Sequence, residues 1–360
     1  MKRLLSILSA AALFCGTASC SKAPLSGAEP AGPDSATLLL DWAAPATRAA
    51  ALPAEKRVNS LVIYVFDRDG RLDLSHACSG GELAEQNAVI RLKTGSKTVW
   101  ALANLGGEAL ERANACMTLE ALESVPIALS DNAPDAFVMT ARSDMDLPAS
   151  GRFSLRLELA RPVAKVALGS VANRLPAPYG SMTLCRAFLC NAAGNRTLGG
   201  AAADPVSWLN PEGTPDRGGK EHTIGQGGYA AQVAELTFRE LGDAVLRGSA
   251  VRYPLTDEGG KFFYAFPNAR TEENDGYTEP FSPTATVLML VVKIGRHEYY
   301  YPIALDRGLG ENTLNVVDVT LTGLGNSLQE GPFNKIGKTG LEATVSVRDW
   351  IDTAAYTENI

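Results

Sequence analysis

Apolar side chains that recur at every second position can all be buried only if the chain is extended, because only a strand puts residues i, i+2 and i+4 on one face. Two stretches of this 360-residue chain follow that rule cleanly. Phe153, Leu155, Leu157 and Leu159 alternate with Arg152, Ser154, Arg156 and Glu158, and Leu341, Ala343, Val345 and Val347 alternate with Glu342, Thr344, Ser346 and Arg348. Further apolar runs of strand length occupy residues 58–66, 98–105, 262–266, 286–294, 299–304 and 316–322, separated by Gly, Pro, Asn or Asp. Asp67-Arg68-Asp69-Gly70 ends the first run as a hairpin turn. Helical signals are few. Residues 119–125 behind Thr118 predict one short helix, and 231–241 is readable either way. Many short strands with turn punctuation predict an all-β chain with few short helices, folded as antiparallel β-sandwiches.

The N-terminus is of another kind. Lys2 and Arg3 precede an apolar stretch over residues 4–14, and Gly16, Thr17, Ala18 and Ser19 lead into Cys20. The stretch is shorter than the roughly 20 residues that cross a bilayer, so it predicts a secretory signal. Thr17-Ala18-Ser19-Cys20 resembles the lipobox of bacterial lipoproteins, in which the cysteine is diacylated and becomes the first residue. Residues 1–20 are therefore expected to be a lipoprotein signal peptide ending at lipidated Cys20, and membrane contact is expected only through that lipid. Residues 21–35, rich in Pro, Gly, Ser and Ala, read as a tether. Residues 36–42 then form a strand-length segment with Leu38, Leu40 and Trp42 on one face, and residues 43–51 form an open linker whose one basic residue is Arg48.

Charge and motifs narrow the function. With 33 basic and 40 acidic residues the chain is net acidic, which argues against nucleic acid or an anionic membrane surface as partner. Cys78, Cys116, Cys185 and Cys190 remain after the signal, and sequence leaves open whether they pair. Asp67–Gly70 with Asp73 lacks the glycine position of a calcium loop. Gly95-Ser96-Lys97-Thr98 and Gly225-Gln226-Gly227-Gly228 complete neither a phosphate loop nor a dinucleotide fingerprint. The three histidines, His76, His222 and His297, are scattered and read as surface or core residues. Tyr299-Tyr300-Tyr301 could be a carbohydrate platform, but alternation between core and solvent is the simpler reading. No catalytic residue, cofactor or metal is expected, and the chain is not expected to be an enzyme.

Several segments, in order, resemble the fimbrillin family that builds type V pili of Gram-negative gut and oral bacteria. They are residues 58–67 (VNSLVIYVFD) with Gly70, 99–106 (VWALANLG), 137–140 (FVMT), 161–166 (RPVAKV), 263–268 (FYAFPN), Asn312 with 316–323, and 345–350 (VSVRDW). The resemblance implies two transthyretin-like β-sandwich domains in tandem, placed here at 49–172 and 173–360, the second ending in a donor-strand tail. It implies a precursor that reaches the outer membrane as a lipoprotein and is cut after an arginine of the first linker by an Arg-specific maturation protease. That cut falls between Arg48 and Ala49 and removes residues 21–48, with Leu38, Leu40 and Trp42 as the side chains withdrawn from a groove. The implied partners are neighbouring fimbrial subunits, which refill the groove, and a host or bacterial surface ligand; the mature form is implied to reside in cell-surface fimbriae. A shaft role is favoured over a tip role. Two features depart from the family pattern: a ten-residue tail after Trp350 carrying Asp352 and Glu358, and a Gly- and Pro-rich loop over 203–230. The alternatives are a lipid-anchored anchor or accessory subunit and a monomeric glycan-binding surface lipoprotein.

Overall fold

A computed structural model describes residues 35–44, 52–148, 150–204, 206–210, 235–256, 259–271, 284–305, 307–337 and 340–350. Cys20, Arg48, Ala49, His222, most of the 203–230 loop and the tail after Trp350 lie outside the described residues. Among the described residues no helix is long and apolar enough to cross a membrane.

Among the described residues the first half holds eight strands: β1 (Ser35–Ala43), β2 (Leu61–Asp67), β3 (Leu72–Ala77), β4 (Asn87–Lys93), β5 (Gly95–Ala103), β6 (Pro126–Ala128), β7 (Met139–Leu147) and β8 (Arg152–Glu158). Three short helices interrupt them: α1 (Gly80–Glu85), α2 (Gly107–Asn114) and α3 (Leu119–Glu123). The helix predicted behind Thr118 is α3, and the Thr118 hydroxyl accepts the Ala121 N–H at 3.2 Å as an N-cap. Strands in the order β3-β2-β5-β7 make one sheet and β4-β1-β8 the other. Their inner faces enclose a core of Leu38, Leu40, Trp42, Ile63, Val65, Ile90, Leu92, Val99 and Leu157, among others. The turn after β2 forms as expected. The Asp67 carboxylate accepts the N–H groups of Asp69 and Arg71, both at 2.9 Å, and Gly70 takes the left-handed φ of 72° the turn needs.

The second half begins with β9 (Ala164–Asn173) and β10 (Met182–Cys190). Strand β9 lies between Lys261–Ala265, antiparallel to it, and Thr313–Leu321, parallel to it; Leu341–Asp349 forms the outer edge. Strand β10 pairs with Val287–Ile294, which pairs in turn with His297–Ala304. A second core between these two sheets is built from Val166, Leu168, Leu184, Leu189, Phe263, Leu290, Tyr301 and Val317, among others. The chain is thus all-β with few short helices, as the strand periodicity predicts. Strand β9 pairs wholly with later strands, and β6 of the first half pairs antiparallel with Asn195–Thr197 of the second. Nearly all pairings are antiparallel; β1 with β8 and β9 with Thr313–Leu321 are parallel.

Tyr299, Tyr300 and Tyr301 alternate between the two faces of their strand, but not between core and solvent: Tyr299 and Tyr301 pack on one core and Tyr300 on a second apolar cluster. Tyr301 is buried and donates its hydroxyl to the Gly323 carbonyl at 2.9 Å, whereas Tyr300 points to the other side of the sheet. Cys78, Cys116, Cys185 and Cys190 are all free thiols, which answers the pairing question that spacing leaves open.

Candidate functional site

Strand β1 is held on both sides. Its residues Ser35–Asp41 run antiparallel to β4, from Ser35 opposite Lys93 to Asp41 opposite Asn87, and Thr37–Ala43 run parallel to β8, from Thr37 opposite Arg152 to Ala43 opposite Glu158. The alternation of SATLLLDWA explains which face goes in. Ala36, Leu38, Leu40 and Trp42 are buried, and Leu39 on the other face is 39% exposed. Withdrawing β1 would not trim an edge; it would open a slot in the middle of a sheet. The slot would be floored by Ile63, Val65, Val99 and Ala101 of the opposite sheet and walled by the freed backbone edges of β4 and β8. At about 1.5–3 kcal/mol for each fully buried large side chain, Leu38, Leu40 and Trp42 together contribute roughly 5–9 kcal/mol gross. The three side chains expected to fill a groove do share one buried core.

A second anchor follows within a few residues, and nothing in the sequence pattern anticipates it. Residues Pro53–Lys56 form a single 3₁₀ turn whose Glu55 is fully buried. One Glu55 carboxylate oxygen accepts the Leu52 N–H at 2.9 Å, and the other accepts the Lys165 ammonium at 2.7 Å together with the Tyr264 hydroxyl. The Glu55 carbonyl accepts the Arg161 Nε–H at 2.9 Å. Lys165 is itself buried and sits 3.8 Å from the centre of the Phe262 ring, while the Arg161 guanidinium lies 4.3 Å above the Trp350 ring. Phe137, Tyr264 and Trp350 pack against one another, with Phe137–Tyr264 centroids 4.8 Å apart. Burial, reinforced by the Glu55 charge, holds the Tyr264 phenol well above its usual pKa, and burial pulls the Arg161 guanidinium down to about 10.

These residues come from segments that are far apart in sequence yet belong to the family-like blocks. Phe137, Arg161, Lys165, Tyr264 and Trp350 meet in one core that joins the two halves. Asn104, another block residue, adopts φ 58° and bridges the chain there: its Oδ1 accepts the Asn59 N–H at 2.7 Å, and its Nδ2 donates to the Arg57 and Phe137 carbonyls at 2.7 and 2.8 Å. The linker that carries Arg48 therefore runs between two fixed points, the β1 slot on one side and the Glu55 anchor on the other.

The remaining polar candidates fall elsewhere. His297 is exposed at the start of its strand, while His76 Nε2 lies 2.9 Å from Glu82 Oε1 beside Cys78. A cavity of about 810 Å³ is lined by Arg196, Trp208, Asn268 and Arg270, among others. Arg196 there is engaged by the Pro162 carbonyl and Glu311, and Asn268 by Thr284 and Thr286.

Residues 39–152, from within β1 to the first residue of β8, match the sequence profile of the family described as major fimbrial subunit protein (FimA). No curated protein sequence matches the chain. Among solved structures, it resembles a fimbrilin (FimA) from Porphyromonas gingivalis W83 with a TM-score of 0.56 at 14% identity, covering 88% of this chain and 98% of that one. It also resembles the tip fimbrial protein Mfa3 from Porphyromonas gingivalis, with a TM-score of 0.50 at 16% identity, covering 88% of this chain and all of that one. At such identities the likeness speaks for the fold. The resemblance to fimbrillins thus holds at two levels: residues 39–152 match that family's sequence profile, and the described chain resembles a solved fimbrilin in fold.

Proposed function

We infer that the chain is a structural subunit of a cell-surface fimbria, exported as a lipoprotein anchored at Cys20 and activated for polymerisation by cleavage after Arg48. The observation that carries this reading is the placement of β1. It is the central strand of β4-β1-β8, it fills the sandwich core with Leu38, Leu40 and Trp42, and the chain leads from it to the next described residue, Leu52, through the linker that carries Arg48. Cleavage there leaves a strand held by packing and hydrogen bonds alone. Its departure exposes an apolar slot with two unpaired edges, which selects an extended segment with apolar residues at alternate positions. A segment supplied by a neighbouring subunit makes a head-to-tail contact, and such contacts propagate into open filaments. The Glu55 anchor supports the same reading: it keeps the new N-terminal segment docked at the junction while β1 leaves. The lipid ties the precursor to the outer membrane until the cut, so the mature form belongs in the fimbria.

Arg48→Ala is expected to leave full-length lipidated precursor in the membrane fraction and no filaments on the surface, seen by immunoblot and electron microscopy. Normal filaments built from that variant would refute the cleavage step. The narrower assignment, shaft over tip, predicts many copies per filament length in purified fimbriae. A single terminal copy under immunogold labelling would move the chain to the tip.

A further inference from the structure

We propose that His76, Cys78 and Glu82 form a binding site for a zinc-type divalent metal ion on the first sandwich, a site with no part in the β1 slot. The local sequence brings them together in two steps. His76 lies in β3 and Cys78 directly follows the strand, its N–H still donating to the Leu61 carbonyl at 2.9 Å, so the extended backbone turns both side chains to the same side. Helix α1 starts directly afterwards, capped by Ser79, and its Glu82 folds back over the strand end as the return arm of a capping box. The imidazole nitrogen, thiol sulfur and carboxylate oxygen all lie within 4.8 Å of one another, with His76 Nε2 and Glu82 Oε1 2.9 Å apart.

This geometry is close to what a metal needs. Metal–ligand bonds of about 2.0–2.1 Å to nitrogen, 2.3 Å to sulfur and 2.0–2.2 Å to oxygen place tetrahedral ligand atoms roughly 3–4 Å from one another. The Cys78 sulfur has to move in by about 1 Å and the 2.9 Å His76–Glu82 contact to open by a few tenths of an ångström to complete the arrangement. The donor set also selects the ion. A thiolate and an imidazole favour zinc and its neighbours over calcium or magnesium, which take oxygen ligands. Glu82 is already oriented as a ligand, because its Oε2 accepts the Ser79 N–H at 2.7 Å and leaves Oε1 facing His76. Three protein ligands leave the fourth tetrahedral position to a water, and the partial exposure of His76 and Glu82, 30% and 26% at the side chain, keeps that position open. On binding, the Cys78 S–H bond gives way to a sulfur–metal bond and its proton leaves to solvent, with no change of oxidation state.

A helix cap and a hydrogen bond account for His76 and Glu82 without a metal, and Cys78 packs against the sandwich core. The metal reading differs in requiring all three side chains at once. It also gives the cluster a mechanical role, since the ion would tie the end of β3, an edge strand of one sheet, to the helix that leads into β4 of the other.

The test uses the purified exported chain, stripped of metal with a chelator and titrated with Co²⁺ and then Zn²⁺. The expected result is uptake of one equivalent, a thiolate-to-cobalt charge-transfer band with the strong visible bands of tetrahedral Co²⁺, and displacement of Co²⁺ by Zn²⁺. Cys78→Ser should abolish the charge-transfer band, while Cys116→Ser, Cys185→Ser and Cys190→Ser leave it intact. Glu82→Gln, which can retain the capping hydrogen bond, should weaken Zn²⁺ binding by more than the roughly 10–100-fold that loss of an outer partner costs. Zn²⁺ should also raise the melting temperature of the parent chain but not of Cys78→Ser. Absence of stoichiometric uptake, or a band that survives in Cys78→Ser with its circular dichroism unchanged, would overturn the proposal. Filament assembly enters none of these readouts, so failure here leaves the fimbrial reading untouched.

Discussion

Leu40→Asp is expected to cost about 4 kcal/mol or more and to unfold the first sandwich at ordinary temperature, whereas Leu39→Asp, one residue earlier, should change stability by about half a kcal/mol at most. The contrast follows from the pleat. Leu40 is fully buried in the same apolar core as Ile63, Val99 and Leu157, and Leu39 faces outward beside exposed Val89. A domain's total stability lies at roughly 5–15 kcal/mol, so the first change takes a large part of it and the second almost none. Urea denaturation followed by the fluorescence of Trp42 and Trp100 reads both. Similar costs for the two variants would mean that β1 does not sit in the described register.

Glu55→Ala should be the most damaging substitution at the junction, at about 3–5 kcal/mol, because it leaves the Lys165 ammonium buried without a counter-charge. It also removes the acceptor used by the Leu52 N–H and the Tyr264 hydroxyl. Glu55→Gln keeps the shape but removes the charge: its single amide oxygen can replace only one of the two carboxylate oxygens, so either the Leu52 N–H or the Tyr264 hydroxyl loses its acceptor, and Lys165 is no longer neutralised. It should therefore remain strongly destabilising, and pairing it with Lys165→Met should restore much of the loss. The expected coupling in that double-mutant cycle is above about 1 kcal/mol, within the range for residues in contact. A loss below that value in Glu55→Gln would mean that water reaches the pair. Such a result would also weaken the idea that residues 52–57 stay fixed after cleavage.

The parts of the fold legible in the sequence are those governed by a local rule. Period-2 alternation places β8 and the strand Leu341–Asp349, and the same rule identifies Leu38, Leu40 and Trp42 as one face. Strand β4 has the same alternation over Ala88, Ile90 and Leu92, but apolar Val89 on its outer face blurs it, and β4 is not among the strands read from sequence. Strand β10 carries Arg186 in the middle of an otherwise apolar run, which hides a strand that is largely buried. The junction is the least legible part. A lysine or arginine in a one-dimensional reading is a surface residue, and Arg161 and Lys165 are buried only because Glu55, Phe262, Tyr264 and Trp350, up to about two hundred residues away, supply a counter-charge and aromatic faces. The His76–Cys78–Glu82 cluster is hidden for a similar reason. Its spacing matches no familiar metal motif, and only the capping of α1 turns Glu82 back onto the strand.

The proposed polymerisation by strand exchange turns on the fate of β1. Intact fimbriae sheared from the cell surface, purified and subjected to N-terminal mass spectrometry, should yield a form of this chain that begins at Ala49 and contains neither Cys20 nor residues 35–43. A surface form that begins only at lipid-bearing Cys20, with β1 still attached, would contradict it.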